Sequence, residues 1–167
     1  MILTRMKTTP PILLLAAIAA VAWLLSACTP STAPGQTPAG TRADYLDSKA
    51  EVVVLNFFDM YCPKCQKDAK YVTALHNTVQ RQKLGSKIQF YAIGWNNSPL
   101  EAEMYRRRYN VTYPVLPDKT RTLSSRFGKF RPPLLIALKK QGGQWTEFYR
   151  TRSVGNKSAE ILRQINP

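Results

Sequence analysis

The 167-residue chain predicts an α/β domain: one central mixed β-sheet flanked by helices on both faces. Three observations carry this. Apolar runs of strand character alternate with segments of helical periodicity, which implies parallel strand pairs joined by helices. The first run passes straight into a C-x-x-C at a helix start. A Gly-Gly turn near the C-terminus joins two further strand patterns and adds an antiparallel pair.

The elements follow in order. VVVLNFF at residues 52–58 is β-branched and aromatic throughout, the composition of a buried strand. Residues 63–84 carry Ala69, Val72, Leu75 and Val79 on one helical face, with Gly85 as the stop. KIQFYAIG at 87–94 is a second strand. Ser98-Pro99-Leu100-Glu101 is a capping box with proline at the first helical position, opening a helix to about Tyr109. Residues 113–116 suit a short extra strand, and Asp118 caps a short helix carrying Leu123 and Phe127. LLIAL at 134–138 is a third buried strand. Gln141-Gly142-Gly143 turns the chain into its hairpin partner at 145–149, and a helix at 157–165 points Ile161, Leu162 and Ile165 inward.

The N-terminus has a different character. Arg5 and Lys7 precede an uncharged apolar run at 12–25, and Leu25-Ser26-Ala27-Cys28 follows. Basic region, apolar stretch and small residues form an export signal, expected over 1–27. LSAC resembles a bacterial lipobox, in which Cys28 would be lipidated and become the first mature residue; an uncleaved signal anchor is the alternative. Either places the domain in the cell envelope, held to a membrane and facing the periplasm or extracytoplasmic space. Residues 28–43 are rich in Pro, Thr and Gly without apolar periodicity and read as a tether, of which the stretch 28–41 would reach roughly 20–40 Å. The folded domain is expected over 44–167. The chain is strongly basic, with 24 Lys and Arg against 10 Asp and Glu. On an exported protein this points away from nucleic acid and toward anionic headgroups, an acidic protein or a merely solvated surface.

Cys62 and Cys65 sit where the first strand ends and a helix begins. Unpaired amides and a partial positive charge mark that first turn, and they favour a thiolate. An ordinary thiol near pKa ~8.5 is only slightly ionised at neutral pH, so a Cys62 brought toward ~7 would be a far better nucleophile. Lys64, Lys67 and Lys70 push the same way. Cys65, one turn along, can resolve a mixed disulfide. A structural zinc needs four ligands, and with Cys28 lipidated only Cys62, Cys65 and the distant His76 remain. A purely structural C-x-x-C bridge closes too short a loop to add much stability. Thiol–disulfide exchange is the expected chemistry, with no cofactor and no metal.

VVVLNFFDMYCPKC resembles the active-site strand and loop of the thioredoxin superfamily, in particular its TlpA-like (redoxin, AhpC/TSA-related) branch. YAIGWNNSPLEAEMYRRRYNVTYPVLPD is similar to the helix-and-strand insertion of that branch. The resemblance implies a thioredoxin-like fold with the inserted helix and short strand ahead of the strand that follows a cis-proline. It also implies that proline beside the cysteines. In the family that proline has flanking glycines five residues before and nine after it; Gly128 and Gly142 stand at those distances from Pro133, so the resemblance implies Pro133, preceded by Pro132, within FGKFRPPLLIALKKQG. Asp68, three residues after the second cysteine, matches an acid common in the anchored reductases of cytochrome c maturation and would move a proton to or from Cys65; a solvated carboxylate is the alternative. Tyr61 would shield the disulfide. The pattern departs at Pro132, at Leu134 where the family commonly has Thr, at Lys70 where a proline often stands, and at Asn56, which replaces the buried acid of thioredoxin itself.

The function implied is that of a membrane-tethered thiol–disulfide oxidoreductase, reducing protein disulfides and recharged by a membrane redox partner, and a monomer. A thiol peroxidase and a copper-handling binding module are the alternatives. Peroxidatic sites of related folds surround a single cysteine with a Thr or Ser and an Arg, whereas Phe58 and Asp59 precede Cys62 here; copper-handling relatives use C-x-x-x-C and a distant His, whereas the spacing here is C-x-x-C and His76 follows closely.

Overall fold

The computed structural model describes Tyr45 and residues 48–166; the expected signal at 1–27, Cys28 and the tether at 28–43 lie outside the described residues. Val52–Phe58 forms β1, the middle strand of a five-stranded sheet in the order β3-β2-β1-β4-β5. β1 runs parallel to β2 (Ile88–Trp95) and antiparallel to β4 (Leu134–Gln141), so both of its edges are paired. β3 (Val115–Asp118) extends the parallel side, and β5 (Gln144–Thr151) closes the antiparallel edge. The fold is thioredoxin-like: a mixed sheet flanked by helices.

Strand pleat divides the core in two. Val52, Val54 and Phe58 point to one face, Val53, Leu55 and Phe57 to the other. Helices α1 (Pro63–Arg81), α2 (Pro99–Arg108) and α3 (Ser158–Ile165) supply buried side chains to the first face, among them the expected Ala69, Val72, Leu75 and Val79. Among the described residues, the second face is covered without an α-helix. Tyr45, Leu123, Phe127, Phe130 and Trp145 do that work, with Phe57 packed between Phe127 and Phe130. The short helix expected after Asp118 is the single 3-10 turn Ser124–Phe127, and the Asp118 carboxylate accepts from the Leu123 and Ser124 amides at 3.0 and 2.8 Å.

Three boundaries differ from expectation for local reasons. α1 ends at Arg81, before the glycine. Lys83 takes a left-handed φ of 59°, and the Lys83 and Leu84 amides close back on Gln80 and Val79 in a Schellman motif. Asn110, with φ 50°, ends α2 in the same way. β3 begins two residues later than the 113–116 pattern because Tyr113 turns into the helix-side core and pairing starts at Ala92–Val115. The hairpin is longer than expected at both strands, joined by Gly142 and Gly143 with φ 56° and 82°, the signs a tight two-residue turn requires.

Candidate active site

β1 delivers the chain to the site and α1 receives it. Cys62 is the N-cap of α1, extended at φ −81°, ψ 114°, with Pro63 at the first helical position. Its sulfur occupies the place a Ser or Asp oxygen takes in an ordinary cap, accepting from the Cys65 amide at 3.3 Å. The Cys62 thiol also reaches the Pro132 carbonyl at 3.8 Å. The Pro132–Pro133 peptide bond is cis. Cysteines and proline pair, 70 residues apart, are thus brought together at the C-terminal end of β1 and the N-terminal end of β4.

The two sulfurs differ in environment. Both are free thiols, Cys62 half-buried and Cys65 2% exposed. Burial, and then the neighbouring Cys62 sulfur, push the Cys65 thiol well above its ordinary range. Tyr105 of α2 lies beneath it. The ring stacks on Phe58 at 3.7 Å, and its hydroxyl donates to the Cys65 carbonyl at 3.4 Å.

The loop between β1 and α1 is held from the side by the β2–α2 connection. Buried Asn97 accepts from the Met60 amide at 3.0 Å and donates to Asp59 at 3.3 Å. Asp59 also accepts from the Tyr61 amide, and Gln66 of α1 donates to the Met60 carbonyl. A side chain at Gly94 would bring a Cβ to 3.1 Å from Asn97 and 3.3 Å from Phe58, so glycine permits this close packing. The expected capping box is formed: Ser98 and Glu101 exchange bonds, and the Tyr61 hydroxyl donates to Glu101 at 2.8 Å. These bonds hold the Glu101 carboxyl down at about 2. Tyr61 itself is 66% exposed, its hydroxyl directed to α2.

Asp68 is 5% exposed, so the solvated carboxylate weighed for it does not occur. It accepts from the Ser153 hydroxyl at 2.7 Å, the Val154 amide at 3.1 Å and the Gly155 amide at 3.0 Å. It therefore locks α1 to the segment entering α3. His76 lies elsewhere on α1, buried against Phe90 and Tyr113 and bonded to Gln80 and Thr112. Asn56 is buried on β1, where the Tyr113 hydroxyl bonds to it. Lys64 is exposed beside Cys62, on the rim of a cavity of about 520 Å³ that Pro132, Pro133 and Asp68 also line.

Sequence reasoning did not single out Asn97, Tyr105, Ser153 or the arginines of this cavity. Asn97 lies one residue ahead of the capping box, and its neighbour Ser98 drew the signal. The others reach the site only through the fold.

The AhpC/TSA family model matches residues 31–156, more than half of the chain. This chain belongs to the AhpC/TSA family. Among its relatives, the thiol-disulfide oxidoreductase ResA of Halalkalibacterium halodurans is 22% identical over 103 residues, which is 62% of this chain and 56% of that protein. The ResA of Bacillus thuringiensis subsp. konkukian is 21% identical over 128 residues, 77% of this chain and 71% of the relative. The chain thus spans little more than half the length of the first of these. Two solved structures share the fold. One is a secreted Mycobacterium tuberculosis disulfide oxidoreductase, homologous to E. coli DsbE, with TM-score 0.55 at 14% identity, covering 69% of this chain and 80% of the other. The other is the thioredoxin domain of a thiol-disulfide oxidoreductase from Bacteroides vulgatus, with TM-score 0.58 at 11% identity, covering 72% and 83%. In this AhpC/TSA member the C-x-x-C stands on the same strand-to-helix turn that the sequence resemblance implied.

Proposed function

We propose that this protein is a thiol–disulfide oxidoreductase outside the cytoplasm, lipid-anchored through Cys28, that reduces disulfides of protein substrates. The observation that carries the reading is the asymmetric pair: a half-buried Cys62 capping α1 and a buried Cys65 whose amide faces its sulfur. The Cys62 thiolate attacks one sulfur of a substrate disulfide; a new S–S bond forms, and the other substrate sulfur leaves as a thiolate. Cys65 then gives up its proton and attacks Cys62. The substrate departs as a dithiol, two electrons richer, and the Cys62–Cys65 disulfide remains for a membrane redox partner to reduce.

The other residues take supporting roles in this reading. Backbone around Pro132 and Pro133 borders Cys62 and offers a substrate strand its hydrogen bonds. Asp68 Oδ2 shares only the Val154 amide, whereas Oδ1 takes three donors, so Oδ2 keeps capacity for a proton leaving Cys65. Lys64 supplies positive charge beside the attacking sulfur, and Tyr61 flanks it. Reduction is favoured over oxidation by the resemblance to the anchored reductases of cytochrome c maturation; the relatives' shared name, thiol-disulfide oxidoreductase, fits either direction.

Insulin reduction with dithiothreitol as electron source tests the chemistry: the intact chain should accelerate it, and Cys62→Ser should fall to background. Activity surviving that substitution would overturn the reading. Equilibration with glutathione tests direction. A potential near about −270 mV fits a reductant, and one near about −120 mV an oxidant. Mass spectrometry of the mature N-terminus tests lipidation of Cys28.

A further inference from the structure

The cavity beside the cysteines is cationic. Its rim carries Lys64 and Lys67 from α1, Arg131 from the loop before β4 and Arg152 just after β5. All four are exposed. The ion pairs of the described residues are Glu51 with Lys87, Glu103 with Arg106 and Arg107, and Glu147 with Arg150, and none of them engages these four cations. The one carboxylate in the cavity, Asp68, sits at its buried floor, its oxygens turned to Ser153, Val154 and Gly155. Tyr71 adds an aromatic wall, with the Lys70 ammonium 4.9 Å from its ring centre.

Two bonds fix the place of this charge relative to the reacting sulfur. The Pro132 carbonyl lies 3.8 Å from the Cys62 sulfur, and Pro132 also lines the cavity. Arg152 donates to the Arg131 carbonyl at 3.4 Å, holding the two arginines on one side. The nearby acids Asp59 and Glu101 do not line the cavity and are bonded instead to Asn97, Tyr61 and Ser98. The cavity side of the site is therefore cationic. A cleft lined by charge of one sign concentrates ligands of the other and raises their encounter rate.

We propose that this cavity is the substrate-docking cleft and that it selects protein segments bearing Asp or Glu next to their disulfide. The proposal deepens the oxidoreductase reading and rests on it. The lysines and arginines engage the acidic residues of the segment, Tyr71 packs against its apolar atoms, and the disulfide reaches Cys62 past Pro132.

The test uses the full chain in dodecyl maltoside and two synthetic peptides, each with one internal disulfide, identical but for flanking Asp/Glu or Lys/Arg residues. At low salt the reduced protein should react with the acidic peptide at least about tenfold faster. That ratio should shrink toward one at high salt, where exposed charges are screened. In the triple variant K67Q/R131Q/R152Q it should also shrink toward one. Equal rates with both peptides, or a faster basic peptide, would overturn the selectivity while leaving the oxidoreductase reading intact. Reaction with neither peptide would overturn that reading and this one with it. If the triple variant kept its preference but lost binding to phosphatidylglycerol vesicles, the cations would belong to a lipid surface and the proposal would fail.

Discussion

Asp68 and Val154, 86 residues apart in the chain, meet where the Val154 amide lies 3.1 Å from both carboxylate oxygens. With the Ser153 hydroxyl and the Gly155 amide, this fixes the active-site helix to the entry of α3. Removing the acceptor strands the buried Val154 amide and frees the half-buried Gly155 amide. Asp68→Ala should cost about 2–4 kcal/mol, and Asp68→Asn, which keeps one oxygen, less. Urea unfolding reads the difference; a loss under about 0.5 kcal/mol for the alanine variant would mean that water or neighbours replace the carboxylate.

The contrast between Cys62 and Cys65 predicts an order of modification. Iodoacetamide at neutral pH should alkylate Cys62 in the folded protein at least about tenfold faster than Cys65, because attack needs access and a thiolate, and Cys65 is denied both. Peptide mass mapping over time gives the two rates. In Cys65→Ser, the mixed disulfide with substrate should accumulate, since the resolving thiol is gone.

Asn97 joins the cysteine loop to the β2–α2 connection. Asn97→Ala should lower stability by about 1–3 kcal/mol by leaving the Met60 amide without its acceptor and taking one of the donors from Asp59. Turnover should fall as well, because the loop carrying Cys62 loses its lateral tie. Hydrogen exchange at Met60 discriminates: protection unchanged in the variant would show that the bond to Asn97 is not what holds the Met60 amide.

The Glu101 carboxyl, held at about 2 against an ordinary 4.5, makes the lateral tie sensitive to acid. A depressed folded value favours the native state above 4.5, and that contribution is lost as pH falls toward about 2. Protection of the Ser98 amide should decline over this window, and Glu101→Gln should remove the dependence. A Ser98 amide equally protected across the window would contradict it.

His76 predicts a second slope. Burial lowers its imidazole below the usual 6.5, so the unfolded chain binds the proton more readily than the folded one. Stability is full above 6.5 and declines as pH drops below it. Chemical denaturation at a series of pH values should show the decline, and His76→Gln should flatten it.

Much of the fold was legible because its signals are local. The β-branched run at Val52–Phe58, the apolar face of α1, the Ser98–Glu101 box and the Gly142-Gly143 turn each act within a few residues. Boundaries failed where a residue without a strong turn preference, Lys83, took the left-handed position that Gly85 was expected to provide. The covering of the second sheet face also escaped, since Leu123, Phe127 and Phe130 have no periodicity long enough to distinguish one 3-10 turn from a helix.

Sequence alone determined that two cysteines one turn apart open a helix after a buried strand, because capping and strand character depend on near neighbours. Tertiary structure decided which sulfur is covered, that Asp68 is a buried lock, and that Arg131 and Arg152 join Lys64 and Lys67 around one cavity. Those contacts link positions tens of residues apart. No spacing rule encodes them; they arise only when sheet order brings the end of β5 and the loop before β4 alongside α1.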